Sequence, residues 1–176
     1  LVDWILNEKF QTVLDIGTGS GCIAICLAKY SDAFINAIDI SEDALFLARK
    51  NADLHELKIS FFKKDILKTK TLKKVDLIVS NPPYVLNSQI KQMDENILNY
   101  EPHTALFVSD DNPLLYYKKI IELASKSLTC SGKLFFEVNE KFGREIVKIL
   151  TDFGFVDIEL KKDINDKERM IKSVWK

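Results

Sequence analysis

Apolar and polar positions along this chain change period repeatedly, and the changes divide it into elements. Thr12 to Ile16 and Phe34 to Ile40 are short apolar runs of strand length. Between them, Gly21 to Lys29 has helical spacing. Ser41 stands where a helix cap belongs, with Glu42 and Asp43 in the first turn of a helix running to about Leu54. Ile59 to Lys63 and Val75 to Ser80 read as strands, Pro113 to Leu128 as a helix, Gly132 to Val138 as a strand, and Phe142 to Asp152 as a helix ended by Gly154. Phe155 to Leu160 and Arg169 to Trp175 read as two late strands joined by a polar turn. Seven strands in this alternation predict an α/β fold, a doubly wound and mostly parallel seven-stranded sheet covered on both faces. The last two strands have no helix between them and should form an antiparallel C-terminal hairpin. The chain opens on Leu1 in mid-pattern: Leu1, Trp4, Ile5 and Glu8 have helical spacing, expected as the last turns of a helix that starts upstream. Tyr84 to Asn112 shows little periodicity, and a connection that long is usually functional or disordered.

Composition adds exclusions. The 176 residues carry a net charge of −1, with 47% hydrophobic residues, enough for one soluble domain with its own core. The longest clean apolar run, Cys22 to Ala28, is far short of a membrane span. Of the 25 basic residues only Arg49, Arg144 and Arg169 are arginine, and the pI is about 6.2, which argues against a dedicated nucleic-acid binder. Lys58 to Lys74 is lysine-rich with Asp65 its only acid, and reads as a solvated face. Cys22, Cys26 and Cys130 lack zinc-ligand spacing and are expected as small, reduced core residues, consistent with a cytoplasmic protein that holds no metal.

The chemistry concentrates where strands end. Asp15-Ile16-Gly17-Thr18-Gly19-Ser20-Gly21 runs from a strand through a glycine turn into a helix. A dinucleotide fingerprint would place its third glycine at position 22, which is Cys22; the glycines instead run G-x-G-x-G. Asp15 puts a carboxylate beside the loop, unfavourable for a pyrophosphate and suited to a ligand with an ammonium or sulfonium group. Asp39, ending the second strand, can accept from both hydroxyls of a ribose. Asp65 follows the third strand and can accept from an adenine amino group, with Ile66 covering the ring. All these positions fall at the carboxyl edge of the expected sheet, where open α/β folds bind ligands.

The fourth strand ends in Ser80-Asn81-Pro82-Pro83-Tyr84. The two prolines fix the backbone and remove two N–H donors, Asn81 offers an acceptor and donors, and Tyr84 supplies a flat ring. Together, Asp-Ile-Gly-Thr-Gly-Ser-Gly and Asn-Pro-Pro-Tyr resemble a class I S-adenosylmethionine-dependent methyltransferase, Rossmann-like in fold, acting on a planar amide or amine nitrogen. With Tyr100-Glu101-Pro102-His103-Thr104-Ala105-Leu106-Phe107, Pro113-Leu114-Leu115-Tyr116-Tyr117 and Lys167-Glu168-Arg169, the chain resembles the protein-(glutamine-N5) methyltransferases that modify peptide chain release factors. The turn of the final hairpin departs from expectation, with Asn165-Asp166 where a glycine is expected.

The resemblance implies a catalytic domain over residues 11–176, with residues 1–10 ending a helix that links it to a small helical N-terminal domain. It implies S-adenosyl-L-methionine as methyl donor, leaving S-adenosyl-L-homocysteine. Cofactor contacts are then expected at Asp15, Gly17, Thr18, Gly19, Ser20, Gly21, Asp39, Asp65, Ile66 and Asn81. Substrate contacts fall on Asn81, Pro82, Pro83 and Tyr84, with Asn81, Pro82 and Tyr84 at the reacting nitrogen. The implied substrate is the glutamine of a Gly-Gly-Gln loop in class-1 release factors, with Tyr84 to Asn112 helping to bind it. The enzyme is expected as a cytoplasmic monomer without stable nucleic-acid or membrane partners. No histidine base is required, and His55 and His103 are expected to be structural or surface residues. Two rivals remain. An adenine-N6 or guanine-N2 nucleic-acid methyltransferase uses the same Asn-Pro-Pro-Tyr site but would want a basic face or added recognition domain. A non-catalytic nucleotide-binding module would not need Asn81 and Tyr84.

Overall fold

In a computed structural model that describes residues 1–83, 85–86, 107–108 and 111–176, the parallel sheet is built from β1 (Thr12–Ile16), β2 (Phe34–Asp39), β3 (Ser60–Lys63), β4 (Val75–Ser80) and β7 (Leu128–Glu137). Two late strands, β8 (Val156–Lys162) and β9 (Glu168–Val174), complete it in the order β3-β2-β1-β4-β7-β9-β8. All neighbours run parallel except β9, which is antiparallel to both β7 and β8. The expected doubly wound sheet with its antiparallel end is the one observed. Two short strands, β5 (Val85–Leu86) and β6 (Phe107–Val108), pair in parallel as a separate ribbon inside the long connection.

Five helices are described: α1 (Val2–Leu6), α2 (Cys22–Tyr30), α3 (Glu42–Leu54), α4 (Leu115–Ser127) and α5 (Gly143–Asp152). Alternation along each strand divides the core into two layers. Leu14, Ile16, Ile78, Leu134 and Phe136 pack with Ile120, Ile121 and Leu123 of α4 and Ile146 and Leu150 of α5. Val13, Ile35, Leu77, Val79 and Phe135 face the other way, onto Ile5 of α1 and Ala24 and Leu27 of α2. The short α1 is held by Trp4, edge-on to Phe135 at 5.4 Å between ring centres, and the Lys161 ammonium lies 3.9 Å from the Trp4 ring. Just after it, Glu8 pairs with Lys172 at 3.1 Å and Lys133 at 3.6 Å.

At the amino edge of the sheet, Asp76 ties three strands together. Its Oδ2 accepts from the Gln11 and Thr12 amides and the Thr12 hydroxyl, and its Oδ1 accepts from Thr129 Oγ1. Partial burial works against its charge, but the bonds from Thr12, Gln11 and Thr129 outweigh that and hold the carboxyl below the usual carboxylate range. Asp76→Ala leaves these donors without their charged acceptor and should destabilise the fold by about 3 kcal/mol at neutral pH. Because the folded-state value is lowered, this contribution exists above the ordinary aspartate value and is lost as the pH falls through the folded one. Urea unfolding of both chains at pH 7 and in acid checks it, with the gap closing in acid.

Some expectations are corrected. Cys22 and Cys130 are exposed and Cys26 is half-buried, so the cysteines are not core residues. Cys22 opens α2 directly after the glycine turn, and Cys130 lies in the stretch where β7 slips register against β4, so neither is directed into a packed layer. The β7 strand starts at Leu128 rather than Gly132, because α4 passes into it directly and Ser131 absorbs the irregularity at φ 62°. The hairpin turn works without glycine: Asp166 takes φ 63°, and the Asp163 carboxylate accepts from the amides of Asn165 and Lys167. The lysines from Lys58 to Lys74 are all exposed, and His55 is exposed at the end of α3.

Candidate functional site

The strand order reverses between β1 and β4: from β1 the chain steps outward to β2, and β4 returns to the other side of β1. The carboxyl ends of these strands therefore flank a crevice, the usual ligand position in such sheets. The loop Gly17–Gly21 lies there. The amides of Gly17 and Thr18 donate to Ile38 O, at 2.9 and 3.1 Å, which fixes the turn on the end of β2. Gly17 and Gly19 have φ of 71° and 55°, and a Cβ on either would meet nothing within 4 Å. These two glycines supply the turn and leave space over it. At Gly21 (φ 86°) a Cβ would lie 3.1 Å from the Ala48 side chain, so this glycine lets α2 approach α3.

Asp15 does not sit at the loop surface. It is 1% exposed, on the Val13 side of the sheet. Its Oδ2 accepts from Thr18 Oγ1 at 2.7 Å, and its Oδ1 has no hydrogen-bond partner. Burial pushes its carboxyl up to about 7, opposed by the Thr18 hydroxyl and the nearby Ala24 amide and aided by the negative charge of Asp39. The Ala24 amide favours the charge without completing a hydrogen bond of ordinary geometry to Oδ1. The expectation of a plain carboxylate beside the loop is thus refined to a buried acid that titrates near neutrality.

The consequence for stability has a definite sign. The folded value is raised, so between about 4 and 7 the unfolded chain releases a proton that the fold keeps, and stability falls as pH rises through that window. Asp15→Asn should therefore stabilise the ligand-free chain by up to about 4 kcal/mol at pH 8, with the gain fading as the pH falls from about 7 and nearly gone at about pH 4. Denaturant unfolding at the two pH values checks this, and a pH-independent difference would contradict it.

Asp39 is joined to the loop. Its Oδ2 accepts from the Gly19 amide at 2.9 Å and its Oδ1 from the Ser41 amide at 2.9 Å, which leaves each oxygen a further lone pair. Asp65 is turned to its own segment: Oδ1 accepts from the Leu67 amide and Oδ2 pairs with Lys68 at 3.5 Å. Ile66, beside it, is 9% exposed within the α4–α5 layer.

At the end of β4, Ser80 Oγ donates to Ile16 O at 2.7 Å, so Asn81 is held next to the start of the glycine turn. Asn81 is exposed, Pro82 buried and Pro83 half-buried. The structure thus brings Asp15, the loop, Asp39 and Asn81 to one edge. Tyr84 and the Tyr100–Leu106 motif lie outside the described residues.

Three further residues support this edge: Asn51, which no sequence motif includes, and Ser80 and Tyr116, which lie in motifs but had no role assigned. Asn51 of α3 donates from Nδ2 to Ser20 O at 2.9 Å, bracing the loop from behind. A polar residue inside a helix gives no signal of such a role. Ser80 is a second, hidden in an apolar strand. Tyr116 on α4 is half-buried, and burial first, then the charge of Asp65, pushes its phenol up. That places the ring near the Asp65 turn.

An open cavity of 580 Å³ lies at the opposite, amino edge, lined by Gln11, Asp76 and Thr129 among others. Gln11, Asp76 and Thr129 are the groups that tie the strands, so this part of the cavity belongs to the scaffold. Among the described residues, no group of three or more His, Cys, Asp or Glu could hold a metal ion, and no helix is long and apolar enough to cross a membrane.

Known proteins resemble this chain in sequence and in fold. The chain is 50% identical over 181 residues to a release factor glutamine methyltransferase of Flavobacterium psychrophilum, covering 98% of this chain and 64% of that protein. It is 42% identical to a protein of the same name from Bacteroides thetaiotaomicron, covering 97% of this chain and 63% of that one. The chain thus spans slightly less than two thirds of the length of either relative. In structure it resembles a methyltransferase from Pyrococcus furiosus with a TM-score of 0.74 at 18% identity, over 98% of this chain and 78% of that one, a likeness of fold. The family model of the methyltransferase small domain matches residues 1–104, more than half of the chain, and the chain belongs to that family.

Proposed function

We propose that this chain transfers a methyl group from S-adenosyl-L-methionine to the side-chain amide nitrogen of the Gly-Gly-Gln glutamine in class-1 peptide chain release factors. The observation that carries the reading is the meeting of the G-x-G-x-G loop, Asp39 and Asn81 at one sheet edge. The residues present suit the cofactor: two glycines with open space above them, a ribose acceptor at Asp39, and a buried acid with an unpartnered oxygen. The two relatives named for release factor glutamine methylation support the substrate.

When bound, the cofactor supplies a methyl group on a sulfonium, already activated for in-line displacement. The difficulty lies with the acceptor, because an amide lone pair is delocalised into its carbonyl. Asn81 Oδ1 and the Pro82 carbonyl can hold the two amide hydrogens, since the following proline offers no N–H to compete. That would orient the nitrogen and stabilise the positive charge developing on it. Tyr84 would pack on the amide plane. The Asp39 carboxylate, already braced by two backbone amides, is preorganised to accept from the ribose. Asp65 and Ile66, with Tyr116 close by, would border the adenine.

A cytoplasmic site of action and a monomeric state belong to the same proposal. The rival nucleic-acid methyltransferase shares the Asn-Pro-Pro-Tyr chemistry. Incubation with radiolabelled cofactor in parallel with an intact release factor, duplex DNA and total RNA separates the two. Label in the release factor alone is expected, and label in nucleic acid alone would favour the rival.

A further inference from the structure

One feature that suits the cofactor takes no part in the methyl transfer itself: a fully buried carboxyl group with one oxygen committed and the other without a partner. Thr18 donates to Oδ2 of Asp15, so a proton on the group resides on Oδ1. Few charged or titratable groups on the surrounding elements can set its state, and on α1 there is only Asp3, which is exposed. The others are Asp39 on β2; Cys22, Cys26, Lys29 and Tyr30 on α2; and Asp76 on β4. Lys29 and Tyr30 lie in the last turn of α2 and Asp76 at the amino end of β4, away from the loop. Asp39 is the one whose charge acts on Asp15, and it is negative. Among the described residues, no cation offsets a carboxylate at Asp15, in a position where an isolated charge is costly. An ammonium group entering the glycine loop would be the missing partner, and the amino-acid end of the proposed cofactor carries one.

We propose that Asp15 couples cofactor capture to proton release: the empty loop holds Asp15 as a carboxylic acid, and arrival of the cofactor ammonium converts it to a carboxylate. The inference rests on the cofactor reading above. The balance is simple. The Oδ1–H bond of Asp15 breaks, its proton passes to buffer, and the carboxylate pairs with the ammonium, which keeps all its own protons. Asp39, whose oxygens already accept from two backbone amides, serves the ribose. Cofactor affinity should then rise towards tenfold per pH unit below about pH 7 and level off above it.

The test is titration calorimetry on the chain at about pH 6, in buffers of different ionisation enthalpy, which counts protons exchanged per ligand bound. At that pH the α-amino group of free cofactor is already fully protonated and takes up no proton itself. S-adenosylmethionine should release more than about half a proton per molecule bound. 5′-Methylthioadenosine, which keeps the adenosine and sulfur but lacks the amino acid, should bind with almost none. Asp15→Asn should bind S-adenosylmethionine more weakly with no release. In Thr18→Val, loss of the hydroxyl should move the pH at which affinity levels off to a higher value. Wild-type binding without proton release would overturn the proposal, as would equal release by 5′-methylthioadenosine or by Asp15→Asn. Absence of binding by either ligand would instead overturn the cofactor reading itself.

Discussion

Asn81→Ala should lower turnover of a release-factor substrate by about 10²–10³ at saturating cofactor, the range for loss of one preorganised polar group at a reacting centre. The expectation follows from position. Ser80, one residue before, is buried and pinned to Ile16 O, while Asn81 itself is exposed past the end of β4. Its side chain therefore adds little to the core, and the variant should melt with the wild type. Binding of S-adenosylmethionine should weaken less than turnover, since the loop and Asp39 remain. Asn81→Asp keeps an acceptor but adds a negative charge and loses the donors, so it should also be impaired. Single-turnover rates with labelled cofactor, set beside a calorimetric Kd, separate the two effects. Retention of more than about a tenth of wild-type turnover by Asn81→Ala would remove this residue from the reacting centre.

Asp39→Ala should weaken cofactor binding by about 10–150-fold, equivalent to about 1.5–3 kcal/mol for hydrogen bonds to a charged acceptor. The same carboxylate holds the Gly19 and Ser41 amides, so its loss also slackens the glycine turn and the start of α3. That indirect share can be read separately. Asp39→Asn keeps an acceptor for one amide and one hydroxyl, and should fall between the wild type and the alanine variant. Calorimetry with S-adenosylmethionine and with adenosine measures both. Unchanged affinity in Asp39→Ala would contradict the ribose assignment.

Where each strand lies was legible because a strand buried on both faces leaves a short apolar run between turn residues. β1, β4 and the start of β2 fall where that pattern puts them. Ser41 caps α3 as its residue type suggests, accepting from the Ala44 amide at 3.2 Å. The same property hid the state of Asp15. In a strand with Val13, Leu14 and Ile16 all buried, alternation gives the face on which the acid lies but not how far it is withdrawn from solvent, because both faces are covered. The cysteines misled for a related reason. A small apolar residue in an apolar run is ordinarily buried, but Cys22 begins its helix at the open end of the crevice. The meeting of Gly17, Gly19, Asp39 and Asn81 at one sheet edge was legible because those residue types at those spacings have few structural uses. Asn51 and Ser80 were not, because they act through backbone carbonyls that the fold alone brings near.

Mass spectrometry of an intact class-1 release factor after incubation with this chain and S-adenosylmethionine, beside a release factor whose Gly-Gly-Gln glutamine is changed to glutamate, decides the substrate assignment. One methyl group is expected on the tryptic peptide that carries the glutamine in the first protein and none in the second. Equal methylation of the two proteins, or methylation of the first at another residue, would contradict it.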